Sequence, residues 1–179
     1  PQQIRYHLER ALYEMQDGRA GPVWLDVPLD VQAATVDPEK LPKFTPPAPT
    51  ANNNLATAAK DVFNLLTQAE RPLILAGHGV RLAGGAHTLL AAAERFQVPV
   101  ATTWNALDII PADHPLCAGR PGVVALRPGN FALQNCDLLI SIGCRLDNII
   151  TAYNPRGFSR AAKKIVIDVD RHEIDKLDM

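Results

Sequence analysis

Arg71-Pro72-Leu73-Ile74-Leu75-Ala76-Gly77-His78-Gly79-Val80, continuing through Ala86-His87-Thr88-Leu89-Leu90 to Val98-Pro99-Val100, is the stretch that decides how this chain folds. Leu73–Ala76 is a short unbroken apolar run, the pattern of a strand covered on both faces. Gly77-His78-Gly79 breaks it. Ala86–Phe96 then carries helix formers, with Leu89, Leu90, Ala93 and Phe96 at helical spacing. Val98-Pro99-Val100-Ala101-Thr102 opens a second strand. A helical connection of that length predicts parallel strands and a right-handed crossover. Glycines between a parallel strand and a helix let a backbone or a ligand approach closely, and helix N-termini favour anions. The stretch therefore reads either as a phosphate or nucleotide site or as a plain tight turn.

Outward from this unit, the same alternation recurs. Residues 2–16 form an amphipathic helix with Ile4, Leu8, Ala11, Leu12 and Met15 on one face, stopped by Asp17-Gly18. Val23–Val27 reads as a strand closed by Pro28. Six of the fifteen prolines lie between Pro28 and Pro49, so residues 28–50 read as an extended linker. Asn52-Asn53-Asn54 offers N-caps for a helix to about Ala69. Trp104–Pro128 is loop-rich, with the length and composition of a functional loop. A short helix is expected around Asn130–Asn135, a buried strand at Leu138–Ile142, and another loop over 144–163 with a helical piece near Phe158–Ala162. A last strand spans Ile165–Val169, and a helix starts at Arg171 and runs to Leu177. Strands alternating with helices imply an α/β fold with a doubly wound, mostly parallel, Rossmann-like sheet. Ligands of such sheets sit beyond the carboxyl ends of strands. Here those ends are Gly77-His78-Gly79, Thr102-Thr103-Trp104, Gly143-Cys144-Arg145 and Asp168.

Composition bounds the chemistry. The chain has 179 residues, 47% hydrophobic, with a formal net charge of -1. That is one domain with a full core, or a domain with an appended piece. No basic patch argues for nucleic acid or an anionic membrane. No apolar run approaches the roughly 20 residues of a membrane span. The opening Pro1-Gln2-Gln3-Ile4-Arg5 is neither a signal nor a transit peptide, and without an initiating Met it reads as the start of a piece of something longer. Cys117, Cys136 and Cys144, odd in number and without a Cys-x-x-Cys pair, read as small buried hydrophobes in a reducing cytosol. The five histidines, His7, His78, His87, His114 and His172, show no metal-ligand spacing, so no metal site is expected.

Familiar nucleotide and hydrolase signatures are absent. Gly77 and Gly79 are followed by Leu82, which denies the third glycine of Gly-x-Gly-x-x-Gly. The next strand ends in Thr102-Thr103 instead of an acidic ribose ligand. There is no P-loop, and neither Ser141 nor Ser159 sits in Gly-x-Ser-x-Gly. Arg145 reads as a phosphate ligand or as an ion-pair partner of Asp147. Asp168 reads as a ribose acceptor or as a cap for the following helix. His78 reads as a ligand contact or as a loop-packing side chain.

The order of these motifs resembles one family. The run Gly21-Pro22-Val23-Trp24-Leu25-Asp26-Val27-Pro28, the proline-rich linker and Arg71–Gly79 come first. Val98–Thr103, Asn135–Asp147 and Ile167–Ile174 follow. Together they resemble the middle domain of thiamine-diphosphate-dependent enzymes of the acetolactate synthase type. The resemblance implies a six-stranded sheet and a division into 1–30, the end of a pyrimidine-binding domain; 31–52, a linker; and 53–179, the middle domain. It implies a longer, cytoplasmic parent, a homodimer or homotetramer, that uses thiamine diphosphate and Mg2+ to decarboxylate a 2-keto acid and join the product to another. The family's catalytic Glu would lie upstream and its Gly-Asp-Gly…Asn-Asn diphosphate motif downstream. This stretch would then hold no catalytic residue and bind no thiamine diphosphate.

In the synthases the middle domain holds a structural FAD. The matching positions are Gly77, His78, Gly79, Thr102, Thr103, Gly122, Gly143, Arg145 and Asp168. Three departures keep the α/β frame but count against FAD. The synthases' three-glycine run is Gly77-His78-Gly79, their Met-His-Gly is Arg120-Pro121-Gly122, and their Arg-Phe-Asp-Asp-Arg is Arg145-Leu146-Asp147-Asn148-Ile149. The alternative is a free-standing nucleotide-binding or regulatory α/β module.

Overall fold

The computed structural model describes residues 1–48 and 54–176. The expected caps Asn52 and Asn53, and Leu177 at the end of the last expected helix, lie outside the described residues. The chain divides into two compact units, Pro1–Asn52 and Asn53–Met179.

In the first unit, helix α1 spans Ile4–Glu14. Its Glu9 pairs with Arg5 at 2.8 Å and also accepts the Phe44 amide at 2.8 Å. The Phe44 ring meets Tyr6 and Tyr13 at centroid distances of 5.6 and 5.5 Å. The proline-rich segment is thus partly structured along α1. It includes a one-turn helix α2 (Leu29–Gln32) and a 3-10 turn (Pro38–Lys40), the latter capped by Asp37. Proline at these sites sits just before or at the first helical position, where no N–H is needed. Val23–Val27 is not a strand. A strand needs a neighbour for its backbone groups, and among the described residues none is offered. Trp24 is 90% exposed.

The second unit is one sheet. Helix α3 (Leu55–Gln68) leads to β1 (Pro72–Ala76), a one-turn helix α4 (His78–Leu82) and α5 (Ala86–Phe96). Then come β2 (Val100–Thr102), β3 (Cys117–Gly119), α6 (Arg127–Asn135), β4 (Leu138–Ile142), β5 (Lys163–Ile167) and α7 (Arg171–Asp175). The strand order is β3-β2-β1-β4-β5, and every pairing is parallel. The sheet has five strands, not six. Val23–Val27 contributes nothing to it, and β3 arises inside the stretch read as loop. Only three residues long, with a register shift against β2, β3 carries too little alternation to be legible in sequence.

The last strand lies two residues earlier than its apolar run suggests. Its register is set by β4, with Leu138 opposite Lys163 and Ile142 opposite Ile167. Lys163 and Lys164 suit an edge strand, where charge discourages further pairing. Helix α4 is a second departure: the glycine turn closes into a helical turn before Gly84 and Gly85 redirect the chain.

Alternate residues of β1 feed two cores, as the period of a strand requires. Ile74 and Ala76 pack with Val80, Leu89, Ala93 and Val98, while Val62, Leu65 and Leu66 of α3 close over them. Leu73 and Leu75 pack with Leu133, Leu139, Leu146, Ile150 and Phe158. The 144–163 connection is therefore ordered by its own buried side chains. Burial of each such side chain is worth roughly 1.5–3 kcal/mol.

Asp137 ties the amino ends of three strands. Its carboxylate accepts the Glu70 and Arg71 amides at 2.8 and 2.9 Å. Its own N–H donates to Arg71 O, and its carbonyl accepts from Lys163. Burial works against ionisation of Asp137, but the Glu70 and Arg71 amides, its own N–H and the Arg71 charge together hold the carboxyl below its ordinary value of 3.8. A lowered native value stabilises the fold above the unfolded value, and that stability is lost as pH falls through the native value. Asp137→Asn is thus expected to flatten the acid limb of stability. Urea midpoints measured at about pH 5 and about pH 3 should fall less in the variant than in the wild type.

Candidate functional site

Because every strand runs the same way, the carboxyl ends of all five lie along one edge. The register places Ala76 beside Thr102 and Ile142, and Ile142 beside Ile167. The turns that follow carry all the residues singled out in the sequence. These are Gly77, His78 and Gly79 after β1; Thr102 and Thr103 at β2; Gly122 after β3; Gly143 and Arg145 after β4; and Asp168 after β5. Chain direction across the sheet reverses between β1 and β4, the switch point where open α/β sheets leave a crevice.

Here that crevice is filled by backbone. A Cβ on Gly77 would stand 2.1 Å from Gly143 O, and one on Gly79 would stand 2.8 Å from Gly143 Cα. Gly143 itself has φ +60°, and a Cβ there would meet Val80 N at 2.7 Å. Three glycines are required because two turns pass in backbone contact. Their hydrogen bonds close the seam: Gly77 N–H donates to Ile142 O at 2.9 Å, Gly79 N–H to Gly143 O at 3.1 Å, and Gly143 N–H to Ile167 O at 2.8 Å. Thr103 N–H donates to Ala76 O at 3.0 Å. Cys144 lies beneath, its thiol donating to Leu75 O at 3.2 Å. Burial pushes that thiol up to about 12, so it stays protonated and unreactive at neutral pH.

His78, Arg81, Arg145 and Asp168, around the seam, have partners within the protein. His78 is exposed, and its Nδ1 lies 2.9 Å from Asn105 O, which makes Nδ1 the protonated nitrogen. Arg81 pairs with Asp108 at 2.8 Å, so two contacts hold α4 to the 104–108 turn. Arg145 does not pair with Asp147. Asp147 Oδ1 accepts the Ile149 and Ile150 amides at 2.9 and 3.1 Å, shaping its own turn. Arg145 instead reaches Glu173 of α7 at 3.4 Å, and Lys176 joins the same carboxylate. Asp168 does not cap α7 either. It accepts the Asp170 amide at 3.0 Å, and Asp170 caps the helix through His172 N–H.

The turn after β3 is braced in the same manner. Gly122 (φ +135°) donates to Asn130 Oδ1 at 2.9 Å and accepts from Asn130 Nδ2 at 3.0 Å, while Val123 N–H donates to Ile149 O. Gly129 sits against the Arg120 backbone, 2.6 Å from where its Cβ would be. Sequence reading missed Asn105, Asn130 and Glu173, each of which acts across a gap in the chain that no local pattern spans. Asp147 was readable, since Asp followed by two amides is an ordinary side-chain-capped turn.

A Rossmann-like, all-parallel α/β domain is the class of protein these features define. Comparison with known proteins then assigns the family. Residues 59–179 match the family described as "Thiamine pyrophosphate enzyme, central domain", and the chain belongs to it. It is 40% identical over 176 residues to a probable acetolactate synthase large subunit of Methanocaldococcus jannaschii, covering 93% of this chain and 29% of that protein. It is 36% identical over 162 residues to the acetolactate synthase isozyme 1 large subunit of Escherichia coli, covering 90% and 28%. It is 37% identical over 176 residues to a glyoxylate carboligase of Escherichia coli O157:H7, covering 95% and 28%. The chain thus spans less than a third of the length of these curated relatives.

Gly77→Ala is expected to cost about 3 kcal/mol or more, because the new methyl meets backbone that cannot yield. Gly84→Ala, with φ +66° and nothing within 4 Å, should cost only about 1 kcal/mol. Urea denaturation of the two variants checks the difference.

Proposed function

We propose that this chain is the non-catalytic central domain of a thiamine-diphosphate-dependent, acetolactate synthase-like enzyme. In the full-length protein, that enzyme decarboxylates a 2-keto acid such as pyruvate and ligates the product to a second keto acid. The observation that carries this reading is the family match over residues 59–179, joined to relatives named as acetolactate synthases and a carboligase that align with nearly the whole chain. Thiamine diphosphate would supply the carbanion chemistry. Among the described residues no group of three or more His, Cys, Asp or Glu is placed to hold a metal ion. On this reading the Mg2+ and diphosphate ligands come from elsewhere in the parent.

Residues 1–30 are proposed as the closing helix and strand of a preceding pyrimidine-binding domain, with 31–52 as the linker and 53–179 as the middle domain. The exposed Leu8, Leu12, Trp24, Leu25 and Leu29 support this, since an amphipathic helix and an unpaired extended segment want a sheet to pack on. The parent is proposed to be cytoplasmic and a homodimer or homotetramer. For the chain itself, no described helix is long and apolar enough to cross a membrane. On this reading the middle domain contributes rigidity. Its sheet is parallel, its tips are braced, and several polar groups at the edge, those of His78, Arg145 and Asp168 among them, have partners within the protein.

Full-length protein given pyruvate or another short 2-keto acid, thiamine diphosphate and Mg2+ is expected to release CO2 and form an acetohydroxy acid. Omitting either cofactor should abolish the release. A full-length protein that consumes no 2-keto acid under these conditions would overturn the reading.

A further inference from the structure

We infer that the full-length protein carries no flavin, because the strand tips that would have to clasp one are closed on themselves. The inference rests on the family reading above, since FAD is the group that the resemblance to the synthases implies at this edge. A dinucleotide on a parallel sheet is held by N–H groups left unpaired at strand-to-helix turns, and by backbone bare enough for the pyrophosphate to touch. Here most of the bare backbone at the central tips, and several of the tip amides, are already engaged within the protein.

At β1, the bare faces of Gly77 and Gly79 point at Gly143, 2.1 and 2.8 Å from where their Cβ atoms would lie. Their bareness is already used by protein. Of the three amides opening α4, two are engaged, Gly79 N–H by Gly143 O and Val80 N–H by Gly77 O, which leaves His78 N–H as the one amide available to an anion. The residue between the glycines is His78, whose imidazole is tied to Asn105 O. Helix α4 ends at Leu82, so only five residues of peptide dipole stand behind this turn.

At β3, Pro121 has no N–H to offer, and Gly122 exchanges both of its backbone hydrogen bonds with the Asn130 carboxamide. At β4, the cation that would meet a phosphate, Arg145, is balanced by Glu173. The position of the synthases' second arginine is Ile149, whose carbonyl faces Gly122 at 2.9 Å from a built Cβ. At β5, Asp168 spends one oxygen on its own turn. At β1, β3 and β4 a group suited to a dinucleotide is engaged by a named partner, at β5 one carboxylate oxygen of Asp168 is, and at β2 the buried Thr102 is followed by Thr103, whose amide is bound to Ala76 O.

The test is the flavin content of purified full-length protein, read from the visible absorbance band and from fluorescence released on denaturation. Flavin far below one per chain is expected, with no rise after dialysis against FAD and no shift in Tm on adding it. About one flavin per chain, as isolated or after dialysis, overturns the inference. His78→Gly restores a three-glycine run but leaves the seam intact, so it too should stay flavin-free. If that variant takes up FAD, the backbone closure is not what excludes it and the inference fails. Flavin is read from the spectrum and family activity from CO2 release in the same preparation, so failure of either reading shows separately.

Discussion

Backbone contact between the turn after β1 and the turn after β4 is the constraint on which the parallel sheet depends. Two strands that leave the sheet in opposite directions must start their connections side by side. Their first residues compete for one space. Gly77, Gly79 and Gly143 resolve the competition by having no side chains, and Gly143 adds a left-handed φ of +60° that other residues rarely adopt. Gly79 N–H to Gly143 O then converts a close approach into a bond. Any larger residue at these positions would separate β1 from β4, the pair at the centre of the sheet.

The opposite end of the sheet is held by charge in place of close contact. Asp137 gathers the starts of β1, β4 and β5 through its carboxylate and its own peptide groups. Between the two ends, the alternate side chains of β1 reach separate cores, one closed by α3 and α5 and the other by α6 and the 144–163 connection. Among the described residues, that connection holds four of the five non-glycine residues with positive φ, Leu146, Ala152, Tyr153 and Ser159. Strain of this kind persists only where surroundings over-determine it. For Leu146 and Ser159 their own burial does so.

The functional reading rests on the family match, and the edge of the sheet has to be read beside it. The sequence offers His78, Arg145 and Asp168 two readings each, one as ligand contact and one as local packing. In the structure all three have protein partners: His78 has Asn105 O in the following loop, Arg145 has Glu173 in place of Asp147, and Asp168 has the Asp170 amide in place of the helix.

What the sequence alone determined was the identity of the buried elements. The continuous apolar runs of β1 and β4, and the helical spacing of Ala86–Phe96, are local patterns, and a helical connection between two such runs all but requires them to be parallel. The family was legible too, because its motifs occur in order along the chain. What only the tertiary structure decided was whatever depends on partners distant in sequence. The strand β3 exists because β2 offers it hydrogen bonds. Val23–Val27 is not a strand because no strand among the described residues lies beside it to form a ladder. The last strand begins at Lys163 because β4 sets its register. The glycines at the tips announced a close approach, but a glycine has no chemistry by which to say what approaches, and only the fold showed that it is Gly143.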